Sequence, residues 1–220
     1  MNRLAIRTEC RLLLDDSLAP YEISDAAIDF RIDEAVREAC VRSNLIVDSS
    51  TAAICDIAVV AGTNTYNISE LILDIHRASL PSAVRPLKKR GYKLADDTTR
   101  NWGVTAGTPD GYLLDMDAGK LVLSHVPIIN ETLTLTVSRL PLTDLADDDA
   151  VPVIKSTYHY DLVYWVLHLT YNTRDSQIYD PNDAAKYEAL FERRFGKRKT
   201  AEDIERNLRR SRRRGKAQWL

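Results

Sequence analysis

The stretch from Pro152 to Phe195 constrains this chain most, because it reads as two consecutive amphipathic helices with a sharp corner between them. In the first, Tyr158, Leu162, Trp165, Val166 and Leu169 fall on one broad apolar face at the helical period. The corner lies at Tyr179-Asp180-Pro181, where proline suits a first helical turn and Asp180 can cap its free amides. Ala184, Tyr187, Leu190, Phe191 and Phe195 form the second stripe, and Gly196 stands where a left-handed C-cap is favoured. Two such helices on a short connector tend to lie antiparallel, yet each offers a single stripe, so a third element must close the core.

The N-terminal part supplies it. Residues 3–14 can form a short helix, and a stronger one is expected from Asp25 to Asn44, with Ile28, Ile32, Ala35, Val36 and Ala39 at three-four spacing. The expected bundle core is therefore Ile28, Ile32, Val36, Leu162, Trp165, Leu169, Tyr187 and Phe191. Asp25, Asp29 and Asp33 make a row one turn apart. We read it as a solvated acidic face near the positive end of its helix in preference to a metal or acid/base site.

From Thr51 to Arg139 the pattern changes to β-branched, alternating runs punctuated by turns. Strands are expected within Thr51–Val60, Tyr66–Ile68, Leu71–Leu80, Gly111–Met116, Lys120–His125 and Thr132–Arg139, with Asp117-Ala118-Gly119 as a hairpin turn. In the last run Thr/Ser alternates with Leu/Val, which predicts one buried face and one wet face. The expected class is thus α+β: a helical bundle made from both ends of the chain, an inserted antiparallel β-sandwich or barrel, and a basic C-terminal arm. The boundaries are expected at 1–50 and 143–196 for the bundle, 51–142 for the insertion and 197–220 for the arm. The linker 143–152 carries Asp144, Asp147, Asp148 and Asp149. Their spacing misses the calcium-loop pattern, so an exposed acidic turn is expected.

At 220 residues the chain can bury a core without metal or disulfides, and Cys10, Cys40 and Cys55 read as buried thiols. No apolar run reaches the roughly 20 residues of a membrane span, and residues 1–7 lack a signal-peptide pattern, so synthesis in the cytoplasm and no membrane partner are expected. The net charge of −2 hides an asymmetry: residues 193–220 hold 12 Lys/Arg and 3 Asp/Glu, which leaves 18 basic and 29 acidic residues before them. An acidic body of net −11 therefore carries a basic tail of net +9.

No glycine stands in a phosphate-binding setting and no serine in a nucleophile elbow, while His159 and His168 are too far apart along a helix to share an ion. Catalytic, cofactor-binding and metal residues are accordingly expected to be none, and the chain is not expected to be an enzyme. The rival to a structural role is nucleic-acid binding through Arg206, Arg209, Arg210, Arg212, Arg213 and Arg214, a run able to neutralise several phosphates. Aromatic residues are not interleaved in that run before Trp219, and Glu202, Asp203 and Glu205 sit at its edge, which disfavours base stacking.

The order of signals from the middle of the chain onward resembles the head-to-tail adaptor proteins of tailed phages, including the podovirus tail tubular protein A type. The matching residues are Tyr66-Asn67-Ile68, Trp102 with Gly107-Thr108-Pro109-Asp110-Gly111-Tyr112, Leu121-Val122-Leu123 with Pro127, Leu133–Val137 and Pro141. Val151-Pro152-Val153-Ile154 with Tyr158, His159, Leu162 and Trp165 completes the series. The family pattern often has a proline two residues after the first tyrosine, where this chain has Ile68-Ser69.

The resemblance implies a virion protein of the neck, about twelve copies of which form a closed homo-oligomeric ring under the portal protein. Such a ring prolongs the DNA channel without sequence-specific contact and presents a platform for the downstream tail or nozzle protein, with no cofactor. It also implies portal docking through the C-terminal arm: Lys197, Arg198, Lys199, Ile204, Arg206, Leu208, Arg209, Arg210, Arg212, Arg213, Arg214 and Trp219. Thr200-Ala201-Glu202-Asp203 begins like a capped helix, too short to hold in water until a partner covers Ile204 and Leu208.

Overall fold

The computed structural model describes residues 1–91, 103–114, 119–174 and 177–200. Trp102, Asp117, Ala118 and the arm positions Ile204, Arg206, Leu208, Arg209, Arg210, Arg212, Arg213, Arg214 and Trp219 lie outside them. Two compact units are present, one from Met1–Ile46 with Leu140–Arg198, the other over Val47–Arg139. Together they make a mixed α+β protein.

In the first unit α1 (Arg3–Leu13) and α2 (Asp25–Ser43) are capped by Asn2 and Ser24, whose side chains accept from the amides of Ala5 and Ala27. A 3-10 turn at Ser156–Tyr158 precedes α4 (Leu162–Tyr171), and α5 (Pro181–Phe195) follows. Asp180 caps α5 by accepting from Asn182 N at 2.8 Å and Asp183 N at 3.2 Å, with Pro181 in the first turn. Gly196 closes α5 at φ 81° and ψ 171°, which is not the left-handed cap expected but a conformation equally reserved for glycine.

Helix α4 touches α1, α2 and α5. Its buried residues are Leu162, Val163, Val166, Leu167 and Thr170, while Trp165 and Leu169 are half-buried. The buried arc keeps Leu162 and Val166 of the expected stripe but takes in Val163 and Leu167, which that stripe left out. Trp165 instead lies against the rim of α5, its ring centroid 4.9 Å from that of Phe191. Tyr187 is also half-buried, stacked between Tyr171 at 5.7 Å and Tyr164 at 6.4 Å. Ile28, Ile32, Val36, Leu162 and Phe191 are each no more than 4% exposed.

The second unit holds α3 (Ala52–Cys55) and the strands β2 (Asp56–Val59), β3 (Thr65–Asn67), β4 (Ile72–Ser79), β5 (Lys88–Lys89), β6 (Gly111–Leu114), β7 (Lys120–Leu123) and β8 (Glu131–Arg139). With β1 (Ile46–Asp48), they form two four-stranded sheets. In one, β8 pairs with β1, β2 and β4; in the other the order is β3-β7-β6-β5. A single apolar cluster takes Val59, Ile75, Leu133, Leu135 and Val137 from the first sheet and Tyr66, Tyr112, Leu121 and Leu123 from the second. Burying both inner faces in one cluster is what lets such short strands hold.

Three sequence expectations change here. Residues 52–55, expected in a strand, form a helical turn, because the Asp48 carboxylate gathers the amides of Ser50 and Thr51 and bends the chain at that point. The pairing is not wholly antiparallel, since β5 runs parallel to β6 with Lys88 opposite Gly111. Nor is the Thr/Ser face of β8 wet throughout: Ser138, paired with Asp74 beside an irregularity in the β4–β8 register, is fully buried.

Candidate functional site

Polar side chains that a sequence reading would assign to solvent or chemistry are, in this molecule, holding elements together. The first group joins α1 to α2. Arg3, Arg7 and Arg11 recur every fourth residue on α1, as Asp25, Asp29 and Asp33 do on α2, and the two rows pair in opposite directions. Arg3 meets Asp33 at 3.4 Å, Arg7 meets Asp29 at 2.6 Å, and Arg11 meets Asp25 at 2.6 Å. Asp16 joins the far end, 2.7 Å from Arg11, with both side chains under a tenth exposed. The aspartate row is therefore a charge seam, and the solvated face expected for it is corrected at Asp29 and Asp33, while Asp25 at the helix start stays half-exposed. Helix α1 lies over it, and a carboxylate with that little water is stable only beside a cation.

The acidic linker closes the same seam. Arg7 reaches Asp148 at 2.6 Å, Arg37 reaches Asp144 at 2.6 Å, and Asn2 donates to Asp149 at 3.4 Å. Leu4 N donates to the Asp148 carbonyl at 3.0 Å and Arg3 N to the Ala150 carbonyl at 2.9 Å, while the Arg3 guanidinium donates to the Leu145 carbonyl. Leu145 N donates to Asp33 at 3.1 Å, but burial still pushes the Asp33 carboxyl above its ordinary value. The Asp29 carboxylate, by its hydrogen bond, raises the Arg7 pKa and keeps that guanidinium charged. Arg7→Ala is expected to cost about 2–4 kcal/mol, somewhat below a fully buried pair because Asp25 and Asp148 are half-exposed and would rehydrate. Urea unfolding followed by far-UV circular dichroism checks this; an unchanged midpoint would show the seam to be energetically idle.

A Ser/His/Asp grouping occurs in the second unit but cannot work as a triad. Ser124 Oγ donates to Asp110 at 2.8 Å and accepts from the amides of Asp110 and Gly111 at 3.2 and 3.1 Å. Ser124 is 2% exposed, and although His125 Nδ1 lies 3.2 Å from its Oγ, the serine gives its proton to Asp110, so the aspartate holds the serine itself and does not orient the imidazole through its far nitrogen. The knot fixes the turn into β6 instead. A Cβ on Gly111 would stand 2.6 Å from the Arg90 side chain and 2.8 Å from the Lys88 carbonyl, which ties this turn to glycine.

His159 and His168, read from the sequence as sharing a helix, are separated, since His159 lies in the turn before α4; His159 donates from Nε2 to the Ile154 carbonyl and His168 from Nδ1 to that of Ala184, each at 2.9 Å. Cys10, Cys40 and Cys55 are buried free thiols, and burial pushes the Cys10 thiol up to about 12. Among the described residues no three His, Cys, Asp or Glu side chains gather around a common point, and no helix is long and apolar enough to cross a membrane.

The described part of the predicted arm begins at the ends of α2 and α5. Lys197 lies 3.9 Å from Glu192, and Arg198 lies 3.8 Å from Glu38; Lys199 is exposed. Arg42, missed in the sequence reading, anchors this corner. Its side chain is 4% exposed, pairs with Glu38 at 2.7 Å and lies over the rings of Trp165 and Phe191 at 4.7 and 5.1 Å. The seam had a readable signal in the two four-residue rows of opposite charge, whereas Arg42 had none.

These features define an α+β structural scaffold whose buried charges serve packing. Across residues 1–215 the chain matches the family model described as SU10 adaptor protein, and it belongs to that family. Membership agrees with the resemblance to phage head-to-tail adaptors and gives the chain a structural role in the virion neck. No curated protein matches it.

Proposed function

We propose that the protein is the head-to-tail adaptor of a tailed phage. About twelve copies seat on the portal as a closed ring, prolong the DNA channel and offer a platform to the next tail component. The observation that carries this reading is the family match over nearly the whole chain. Its podovirus form rests on the sequence resemblance. The charge distribution supports it, since a body of net −11 does not grip passing DNA while a basic segment can seek an acidic partner. In this reading the chain is made in the host cytoplasm, takes its place in the neck, and docks on the portal through residues 197–220, with Lys197, Arg198 and Lys199 at the root. No step in that role calls for a catalytic group or cofactor.

Electron microscopy of the protein mixed with its portal is the test, and an added collar on the portal is the expected result. A bare portal, together with DNA affinity that falls steeply with salt, would replace the adaptor reading with nucleic-acid binding through the arginine run.

A further inference from the structure

A cavity of about 250 Å³ is lined by α2 and by the linker that follows the β-rich unit. Its wall is mostly apolar, with Val36 from the helix and Leu145, Ala150 and Pro152 from the linker. Val151 and Val153 also line it and are 58% and 60% exposed, so the apolar wall continues into water. An apolar cavity of about 150 Å³ already takes a benzene ring, so this one has room for a side chain.

Three oxygen-bearing side chains, Asp33, Thr143 and Asp144, interrupt that wall. Asp33 is the most loosely paired carboxylate of the charge seam. Arg3 stands 3.4 Å from it, against 2.6 Å for Arg7 with Asp29 and for Arg11 with Asp25, and the same Arg3 nitrogen donates to the Leu145 carbonyl. Of the four linker aspartates, only Asp144 and Asp148 have an ion-pair partner among the described residues. The cavity therefore combines apolar lining with an excess of negative charge, which selects a cation on an apolar stem. An ammonium fits better than a guanidinium. Its compact head carries three donors, matched by the two carboxylates and one hydroxyl, whereas five donors spread in a plane would go unsatisfied on so apolar a wall.

We propose that this cavity takes one lysine side chain from an apolar patch of a partner protein, with its stem on Val36, Leu145 and Pro152 and its ammonium on Asp33, Thr143 and Asp144. The occupant belongs to a protein and is not a free amine because Val151 and Val153, beside the cavity, call for an apolar cover that a small amine does not provide.

This inference goes beyond the adaptor reading and does not depend on it, since no portal enters the experiment. The full chain, labelled with nitrogen-15, is titrated with three probes at matched ionic strength: N-acetyl-Leu-Lys-Leu-amide, the same peptide with norleucine for lysine, and n-butylammonium chloride. Amide shifts at Leu145, Val151 and Val153 are followed. The lysine peptide is expected to move them saturably and to bind at least about tenfold more tightly than the norleucine peptide, the smallest gain expected from a hydrogen bond to a charged group. It should also bind about tenfold more tightly than n-butylammonium, which lacks the apolar flanks. Asp33→Asn should erase the difference between the two peptides. Because that change also touches the contact with Arg3, Ala150→Leu is the second variant: it fills the cavity, keeps every charge and should abolish the shifts with the circular dichroism melting curve in place. Equal binding of the two peptides, binding that survives Ala150→Leu, or no saturable shift with the lysine peptide would overturn the proposal. So would n-butylammonium binding as tightly as the lysine peptide, which would give the cavity to a free amine.

Discussion

Asp48→Ala is expected to destabilise the β-rich unit by about 3–5 kcal/mol, the range for stripping one partner from a buried ion pair. The Asp48 carboxylate accepts from Thr51 Oγ1 at 2.6 Å, Ser50 N at 2.9 Å, Ser50 Oγ at 3.1 Å, Thr51 N at 3.2 Å and Arg139 Nε at 2.6 Å. Both side chains of the pair are under a tenth exposed, so alanine would take the Asp48 carboxylate from a buried guanidinium and from the bend at residues 48–51.

The same bonds, that from the Thr51 hydroxyl foremost and then the Ser50 amide, hold the Asp48 carboxyl well below the usual carboxylate range. A folded pKa below the unfolded one means that the ionised form is favoured by folding. The stabilisation is complete above the unfolded value of about 4 and is lost as pH falls through the folded value. Wild type and Asp48→Asn should therefore differ at neutral pH and converge in strong acid. Urea midpoints at a series of pH values decide this, and a constant gap down to the lowest pH would refute it.

Phe191→Ala is expected to cost the helical unit about 3–5 kcal/mol, the range for emptying a buried aromatic site. Phe191 is fully buried, with ring centroids of Trp165 and Phe195 at 4.9 and 4.5 Å and the Arg42 guanidinium 5.1 Å away. Sequence periodicity would assign the same cost to Trp165→Ala. The half-buried position of that indole makes its loss the smaller one, and denaturant titration of the two variants should rank Phe191→Ala as the more damaging. Equal losses would mean that Trp165 contributes as a core residue despite its exposure.

The sequence by itself determined the local elements. Ser24 and Asp180 cap helices because their side chains reach the free amides of their own first turns, and β8 is legible because its alternation needs no knowledge of its neighbours. Family membership was legible too, since the order of weak motifs survives without any contact being known. Only the tertiary structure decided which polar groups are buried and how far each apolar face is turned. A stripe on α4 fixes a face to within about a residue's rotation, and the number and direction of the helices packed on it choose the residues within that face. Asp29 and Asp33 looked solvated because nothing within α2 shows that α1 lies on top of them with arginines at the same interval. A carboxylate's burial and its cation are properties of two segments at once, so neither segment alone can specify them.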